Sequence, residues 1–312
     1  MSDQPMYIAG HRGLVGSAVW REAERQGVPV VGKSHQELDL KVKADVEAYV
    51  GDIKPASIVL AAARVGGILA NSTYPAEFLY DNLQVQLNVI QAAVDQEVPR
   101  LLFLGSSCIY PKYAAQPIAE SSLLTGPLEP TNDAYAIAKI AGVLHIQAIR
   151  RQYSLPYISA MPTNLYGPGD NFDLASSHVL PAMIRKMHEA KVRESRYVEM
   201  WGTGTPRREF LHVDDLARAC LFLLEAYDEP EPINVGTGQD VTIRELATLV
   251  RDVVGFEGQL VWDSTKPDGT PRKQLDTRKI NALGWEPLIT LEEGIRSTYA
   301  WYLEHVDRDA RL

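Results

Sequence analysis

The chain has 312 residues, 46% of them hydrophobic and 23% charged, with a formal net charge of −9 from 40 acidic and 31 basic side chains. That balance belongs to a globular protein with a full core and excludes disordered, collagen-like and coiled-coil chains. An acidic chain without a long Lys/Arg cluster is ill suited to nucleic acid or an anionic membrane, while local cations can still hold a small anion.

No apolar run approaches the ~18 residues of a membrane-spanning helix, and residues 1–9 show no secretory pattern. Cys108 and Cys220 cannot build a disulfide framework, so a cytoplasmic, reduced setting is expected. In chain order, short apolar runs at 6–9, 28–31, 58–62, 101–104 and 157–161 read as buried strands. Between them lie helical faces, one of Leu14, Val15, Ala18, Val19 and Ala23, another of Leu79, Leu83, Leu87 and Ile90. This alternation predicts an α/β fold with a doubly wound parallel sheet.

After Leu165 the rhythm changes to the loop Tyr166-Gly167-Pro168-Gly169-Asp170-Asn171. Helices are expected from near Ser177, over 213–226, 242–254 and 291–303, and a strand over 233–235. Thr242 and Glu245 have the spacing of a capping box. The expected division is a dinucleotide-binding domain over 1–165, to which 209–237 returns, and a smaller C-terminal α/β substrate domain over 166–312.

Gly10-His11-Arg12-Gly13-Leu14-Val15-Gly16 follows the first strand and opens the first helix. This is the context of a Rossmann fingerprint: Gly10 for the turn, Gly13 for approach to a pyrophosphate, Gly16 for close helix–strand packing. The helix N-terminus then offers its free N–H groups to phosphate. The second strand ends in Gly32-Lys33-Ser34-His35, with no carboxylate before Glu37. A carboxylate there would repel a 2′-phosphate, whereas Arg12, Lys33 and His35 attract one, so NADP is favoured over NAD. The other reading of Lys33 is a solvated loop cation.

Tyr135 and Lys139 stand four apart in one expected helix, hence on one face. An unperturbed tyrosine is a weak acid at neutral pH, and the nearby ammonium is expected to lower its pKa. Ser106, in Gly105-Ser106-Ser107-Cys108-Ile109-Tyr110-Pro111 at the end of the fourth strand, is placed to donate to a substrate carbonyl. With the glycine fingerprint, this set resembles the extended short-chain dehydrogenase/reductases that act on nucleotide sugars.

Further motifs narrow the resemblance to the GDP-L-fucose synthase family. They are Arg64-Val65-Gly66-Gly67-Ile68, Glu129-Pro130-Thr131-Asn132, Pro162-Thr163-Asn164-Leu165-Tyr166-Gly167-Pro168, Trp201-Gly202-Thr203-Gly204-Thr205-Pro206 and Lys266-Pro267-Asp268-Gly269-Thr270-Pro271-Arg272-Lys273. His35 and Lys186 stand where arginines are expected. The resemblance implies 3,5-epimerisation and NADPH-dependent 4-reduction of a GDP-4-keto-6-deoxy-mannose. A C4 ketone acidifies C3–H and C5–H, so epimerisation needs a base and an acid on opposite ring faces. The resemblance gives that work to Cys108 and His178; read from sequence alone, these are equally a buried thiol and a helix-start residue.

It also implies cofactor contacts from Gly105, Ser106 and Ser107, from Lys139 and His178, and from Pro162, Thr163, Asn164 and Leu165. Lys186, Arg208 and Arg272 are candidate diphosphate cations, though Arg185 and Arg207 adjoin them. Trp201 either stacks on guanine or fills the core between the halves. Asp276 is assigned to ribose or base, and Cys220 to plain core. No metal is expected. The helices near 75–94 and 133–152 are expected to pair two chains as a homodimer. The competing readings are a reductase/epimerase of another GDP-4-keto sugar such as a heptose, a UDP-sugar 4-epimerase, which has no use for the Cys108–His178 pair, and a non-catalytic NADP-binding protein.

Overall fold

The computed structural model describes residues 4–266 and 268–306; Pro267, quoted above, lies outside them. The first strand, β1 (Met6–Ala9), is buried at all four residues, as a parallel strand covered on both faces requires. It is followed by α1 (Leu14–Arg25), β2 (Val30–Val31), α2 (Lys43–Ile53), β3 (Ser57–Leu60), α3 (Ile68–Thr73), α4 (Pro75–Asp95), β4 (Arg100–Leu104), α5 (Asp133–Tyr153) and β5 (Ile158–Pro162). The second half runs through β6 (Asn164–Tyr166), α6 (Val179–Val192), β7 (Tyr197–Trp201), β8 (Arg207–His212), α7 (Val213–Ala226) and β9 (Ile233–Val235). It closes with β10 (Asp240–Thr242), α8 (Ile243–Val254), β11 (Gln259–Asp263), β12 (Arg272–Lys273), α9 (Arg278–Ala282) and α10 (Leu291–His305).

The central sheet has the order β2-β1-β3-β4-β5-β9, and every neighbouring pair is parallel. From β1 the chain first goes outward to β2, then crosses back to β3. The order therefore reverses between β1 and β3, and ligands of open α/β sheets bind beyond the strand ends at such a point. Ala18, Val19 and Ala23 of α1 and Leu216 and Leu223 of α7 cover one face of the sheet. Val46 of α2, Val89 of α4 and Val143 of α5 cover the other.

The expected face on α4 needs correction. Ile90 is buried, but Leu87 is 46% exposed, and Leu79 and Leu83 are only half-buried. The buried face instead carries Phe78, Asn82, Gln86 and Val89. Its two amides bond to backbone: Asn82 accepts from Arg64 N at 2.9 Å and donates to Arg64 O at 3.0 Å, and Gln86 donates to Ala138 O at 2.7 Å, its own buried Oε1 having no partner among the described residues. A hydrophobic count overlooks such positions, because buried polar groups with partners cost little.

In the second half, β8 pairs antiparallel with β10 and parallel with β12 and β6, while β7 pairs with β11. Helices α6, α8 and α10 close a separate core around Ile184, Leu246 and Ile295. The Thr242–Glu245 capping box opens α8 with both of its hydrogen bonds. Glu209 of β8, fully buried, ties the halves together. Its carboxylate accepts from Gly238 N at 2.8 Å and Leu275 N at 2.7 Å, and its carbonyl accepts from Asn164 Nδ2 at 2.7 Å. Among the described residues no helix is long and apolar enough to cross a membrane.

Candidate active site

At the reversal point Gly10 adopts φ +88°, and a Cβ there would lie 2.7 Å from Ala62 N. A Cβ on Gly16 would overlap the Gly10 carbonyl, so the glycine is what lets α1 start against the strand end. Gly13 is the N-cap of α1, with no side-chain cap and no acid in the first turn. The helix thus begins with free N–H groups and positive dipole charge, and this cradle fits a pyrophosphate.

Around it, His11 tucks its ring beside Trp20, centroids 5.3 Å apart, and under Gly32. Burial, then Arg12, hold that imidazole below its ordinary pKa. Arg12 is exposed, Lys33 Nζ lies 3.8 Å from Glu37, and the exposed His35 lies 3.8 Å from Asp39. Glu37 turns its carboxylate back into its own loop, accepting from Ser34 N at 2.8 Å and Ser34 Oγ at 2.6 Å. The rim beyond β2 therefore suits a 2′-phosphate better than a bare ribose diol.

Strand β4 delivers Gly105 and Ser106 to the cleft, and a 3₁₀ turn of Ser107, Cys108 and Ile109 follows. Ser106 Oγ accepts from Cys108 N at 3.2 Å. The Cys108 sulfur receives Asn132 Nδ2 and Lys273 Nζ, each at 3.3 Å. Burial pushes this thiol up, but the Lys273 ammonium and hydrogen bonds from Ser106, Lys273 and Asn132 outweigh it and leave the pKa below its ordinary value.

Tyr135 and Lys139 do share a face of α5, yet the expected lowering of the phenol is not what the geometry produces. Lys139 is 3% exposed, donates to Leu104 O at 2.8 Å, and stands 5.9 Å from the Tyr135 ring centroid. Burial alone pulls the ammonium down to about 7. Tyr135 is pushed above its ordinary value by burial and then by the charge of Cys108, with only the Ser106 hydroxyl acting the other way. The phenol keeps its proton chiefly because burial disfavours the phenolate, and a second anion beside Cys108 adds to that.

His178 is the N-cap of α6 at the cleft surface; crowding by protein, then Lys273, hold its imidazole low. Its approach is propped by the loop after β3, where Gly67 N donates to Ser176 O at 2.9 Å. Pro162, Thr163, Asn164 and Leu165 form the passage from β5 into β6, with Thr163 N bonded to Val235 O at 3.0 Å.

The structure separates the basic pairs that spacing left open. Arg185 binds Glu189 at 2.8 Å and Arg207 binds Asp240 at 2.9 Å, both within the scaffold. Lys186 points at Trp201, 5.6 Å from its ring, and Arg208 lies within the field of Cys108. Trp201 is 63% exposed, so it is no core residue. Arg272 is spent on Asp240 at 2.5 Å, and the neighbouring Lys273 reaches the cleft instead. The Asp276 carboxylate is engaged by Arg278 Nε at 2.9 Å at the start of α9 and is not brought to Cys108. Cys220 is buried, its thiol pushed up to about 12 by desolvation. Sequence reasoning missed Lys273 and Asn132; both stand inside quoted motifs, but only the fold aims them at sulfur.

Residues 6–236 match the model of the NAD dependent epimerase/dehydratase family. The chain is 60% identical over 309 residues to GDP-L-fucose synthase 1 of Arabidopsis thaliana, covering 98% of this chain and 96% of that one. This chain belongs to the NAD dependent epimerase/dehydratase family, among the GDP-L-fucose synthases. It is also 52% identical over 318 residues to GDP-L-fucose synthase of Escherichia coli, with 99% of each chain covered. A solved GDP-mannoheptose C4 reductase from Campylobacter jejuni with NADP bound superimposes with a TM-score of 0.88 at 35% identity, over 97% of this chain and 99% of that one.

Proposed function

We propose that this chain converts GDP-4-keto-6-deoxy-D-mannose to GDP-L-fucose by 3,5-epimerisation and NADPH-dependent 4-reduction. The observation that carries the epimerase half is the Cys108 thiol, held low by Lys273 and Asn132 beside the reductase residues. A pure reductase needs no such thiol. Cys108 takes a proton from the carbon next to the ketone, and His178 returns one to the opposite face. Tyr135, which keeps its phenolic proton, donates it to the C4 oxygen while Ser106 supports that oxygen with a hydrogen bond. NADPH, when bound, supplies the hydride. Lys139 stays buried against Leu104 O and orders the helix face that carries Tyr135.

The glycine cradle with Arg12, Lys33 and His35 supports NADP(H) as cofactor. Lys186, Arg208 and Trp201 fit a nucleoside diphosphate, two cations and an open aromatic face. We assign residues 1–165 and 209–237 to the cofactor and the rest of 166–312 to the nucleotide sugar; of 209–237, α7 and β9 lie with the first sheet and 209–212 with the second. A cytoplasmic homodimer completes the reading, supported by the exposed Tyr80, Leu87, Ile137 and Leu144 on α4 and α5. The heptose reductase neighbour favours the competing keto-heptose, at lower identity than the fucose synthases.

The test is incubation of the protein with GDP-4-keto-6-deoxy-mannose and NADPH or NADH in deuterium oxide, with a GDP-4-keto-heptose in parallel. The expected product is GDP-L-fucose with deuterium at C3 and C5, formed faster with NADPH. A product with the original configurations at both carbons reduces the protein to a 4-reductase.

A further inference from the structure

Lys273 is a strand lysine whose Nζ has one hydrogen-bond partner among the described residues. It sits on β12, in parallel register with Arg208 of β8, and its Nζ lies 3.3 Å from Cys108 Sγ. Its chain neighbours are consumed elsewhere: Arg272 binds Asp240, and Gln274 donates to Gly238 O. Among the described residues no carboxylate pairs with Lys273, so its charge is directed at the sulfur rather than spent in a salt bridge. Asn132, the N-cap of α5, adds a second donor at 3.3 Å and leaves its own buried Oδ1 without a partner.

The remaining groups around the sulfur leave Lys273 as its counter-ion. Tyr135 on α5 is a protonated phenol, and Ser106 beyond β4 is neutral. Arg208 on β8 adds positive charge from further away and is itself desolvated. The carboxylates in that neighbourhood are committed, Glu129 to Lys112 at 3.0 Å and Asp268 to Thr203 at 2.7 Å. His178, ahead of α6, feels the same ammonium and is disfavoured as a cation by it.

We propose that Lys273, assisted by Asn132, is the positioning residue that holds Cys108 as a thiolate, so that the base of the epimerase reaction is paired with a lysine of the second sheet and not with His178. The use of that thiolate rests on the epimerase reading above; its existence does not. The arrangement answers a need of the chemistry. One base must remove a proton at two carbons in turn, so the S–H bond formed at the first must be broken before the second. A fixed ammonium favours return of that proton to solvent, because the thiolate, not the thiol, is the competent form. A thiolate–imidazolium pair would instead tie up the acid.

The experiment measures the pH dependence of Cys108 alkylation by iodoacetamide in the full-length protein without substrate, read by mass spectrometry of the Cys108 peptide. Cys220 is the buried internal control. The midpoint in the parent is expected clearly below the ordinary thiol value of about 8.5. Lys273→Met should raise it by a pH unit or more, which lowers alkylation at pH 6.5 about tenfold. Lys273→Arg should restore most of the shift, and His178→Asn should leave the midpoint where it is. An unchanged midpoint in Lys273→Met, or an equal rise in His178→Asn, overturns the proposal. If Lys273→Met does not fold, thiolate absorbance of the parent against Cys108→Ala decides: a midpoint at the ordinary value overturns it, and a depressed one supports it. A depressed midpoint in a protein that exchanges no deuterium at C3 or C5 would sink the epimerase reading and leave the Lys273–Cys108 pair standing.

Discussion

The Lys139 ammonium is buried with a single carbonyl partner, and burial brings its pKa to about 7. In the unfolded chain a lysine holds its proton to about pH 10.4. Between those values the unfolded state binds the extra proton, so stability rises with pH, by at most about 1.4 kcal/mol per pH unit. Below pH 7 both states are charged and the slope vanishes. Lys139→Met lacks the titration, so urea denaturation should show the parent gaining on the variant from pH 7 to 9.5. A difference constant across that range would mean that burial does not destabilise the charge. The Leu104 carbonyl loses its partner in the variant, about 1 kcal/mol, but that loss does not vary with pH. Tyr135→Phe keeps the ring packed edge-on to Phe78, centroids 6.4 Å apart. NADPH affinity should therefore hold while reduction of the C4 ketone falls about 100-fold, the usual loss of a general acid. Deuterium exchange at C3 and C5 should survive, since Cys108 and His178 are untouched. Near-normal reduction would remove Tyr135 from the proposed chemistry.

The start of α1 makes two glycines do different work. A methyl on Gly16 meets backbone that cannot yield, at a cost of about 1–3 kcal/mol for such overpacking, whereas one on Gly13 meets nothing closer than Gly10 O at 3.5 Å. Gly16→Ala should lower both denaturation midpoint and NADPH affinity. Gly13→Ala should lower affinity alone, and equal stability of the two variants would contradict this division of roles. Such positions are legible in a sequence because turn glycines and short apolar runs are local signals, as are the boundaries of α7 and the capping box of α8. The face of α4 was not, since Asn82 and Gln86 are buried by contacts to Arg64 and Ala138 that are remote in the chain. Strand β12 is two residues long and takes its meaning from its register with β8. The sulfur partner of Cys108 therefore depends on a pairing no local pattern announces, and the sequence points to Arg272 as a cleft cation and not to its neighbour Lys273.

Helices α4 and α5 leave Tyr80, Leu87, Ile137 and Leu144 exposed on the side away from the sheet. If two chains bury that surface against each other, Ile137→Lys places a charge in the seam. Sedimentation at micromolar concentration should then give a dimer for the parent and a monomer for the variant; a monomeric parent rejects the pairing. The whole chain also distributes its two chemistries unevenly. Ser106, Tyr135 and Lys139 come from the end of β4 and from α5, whereas the ammonium beside Cys108 arrives from β12 in the other sheet. If Lys273 holds the Cys108 thiolate as proposed, inversion leans on a β12 residue that the hydride step does not use, although Cys108 itself follows Ser106 at the end of β4. A lineage could shed stereochemical inversion through a single codon on β12 and remain a competent ketone reductase, with every residue that attends the hydride inherited unchanged.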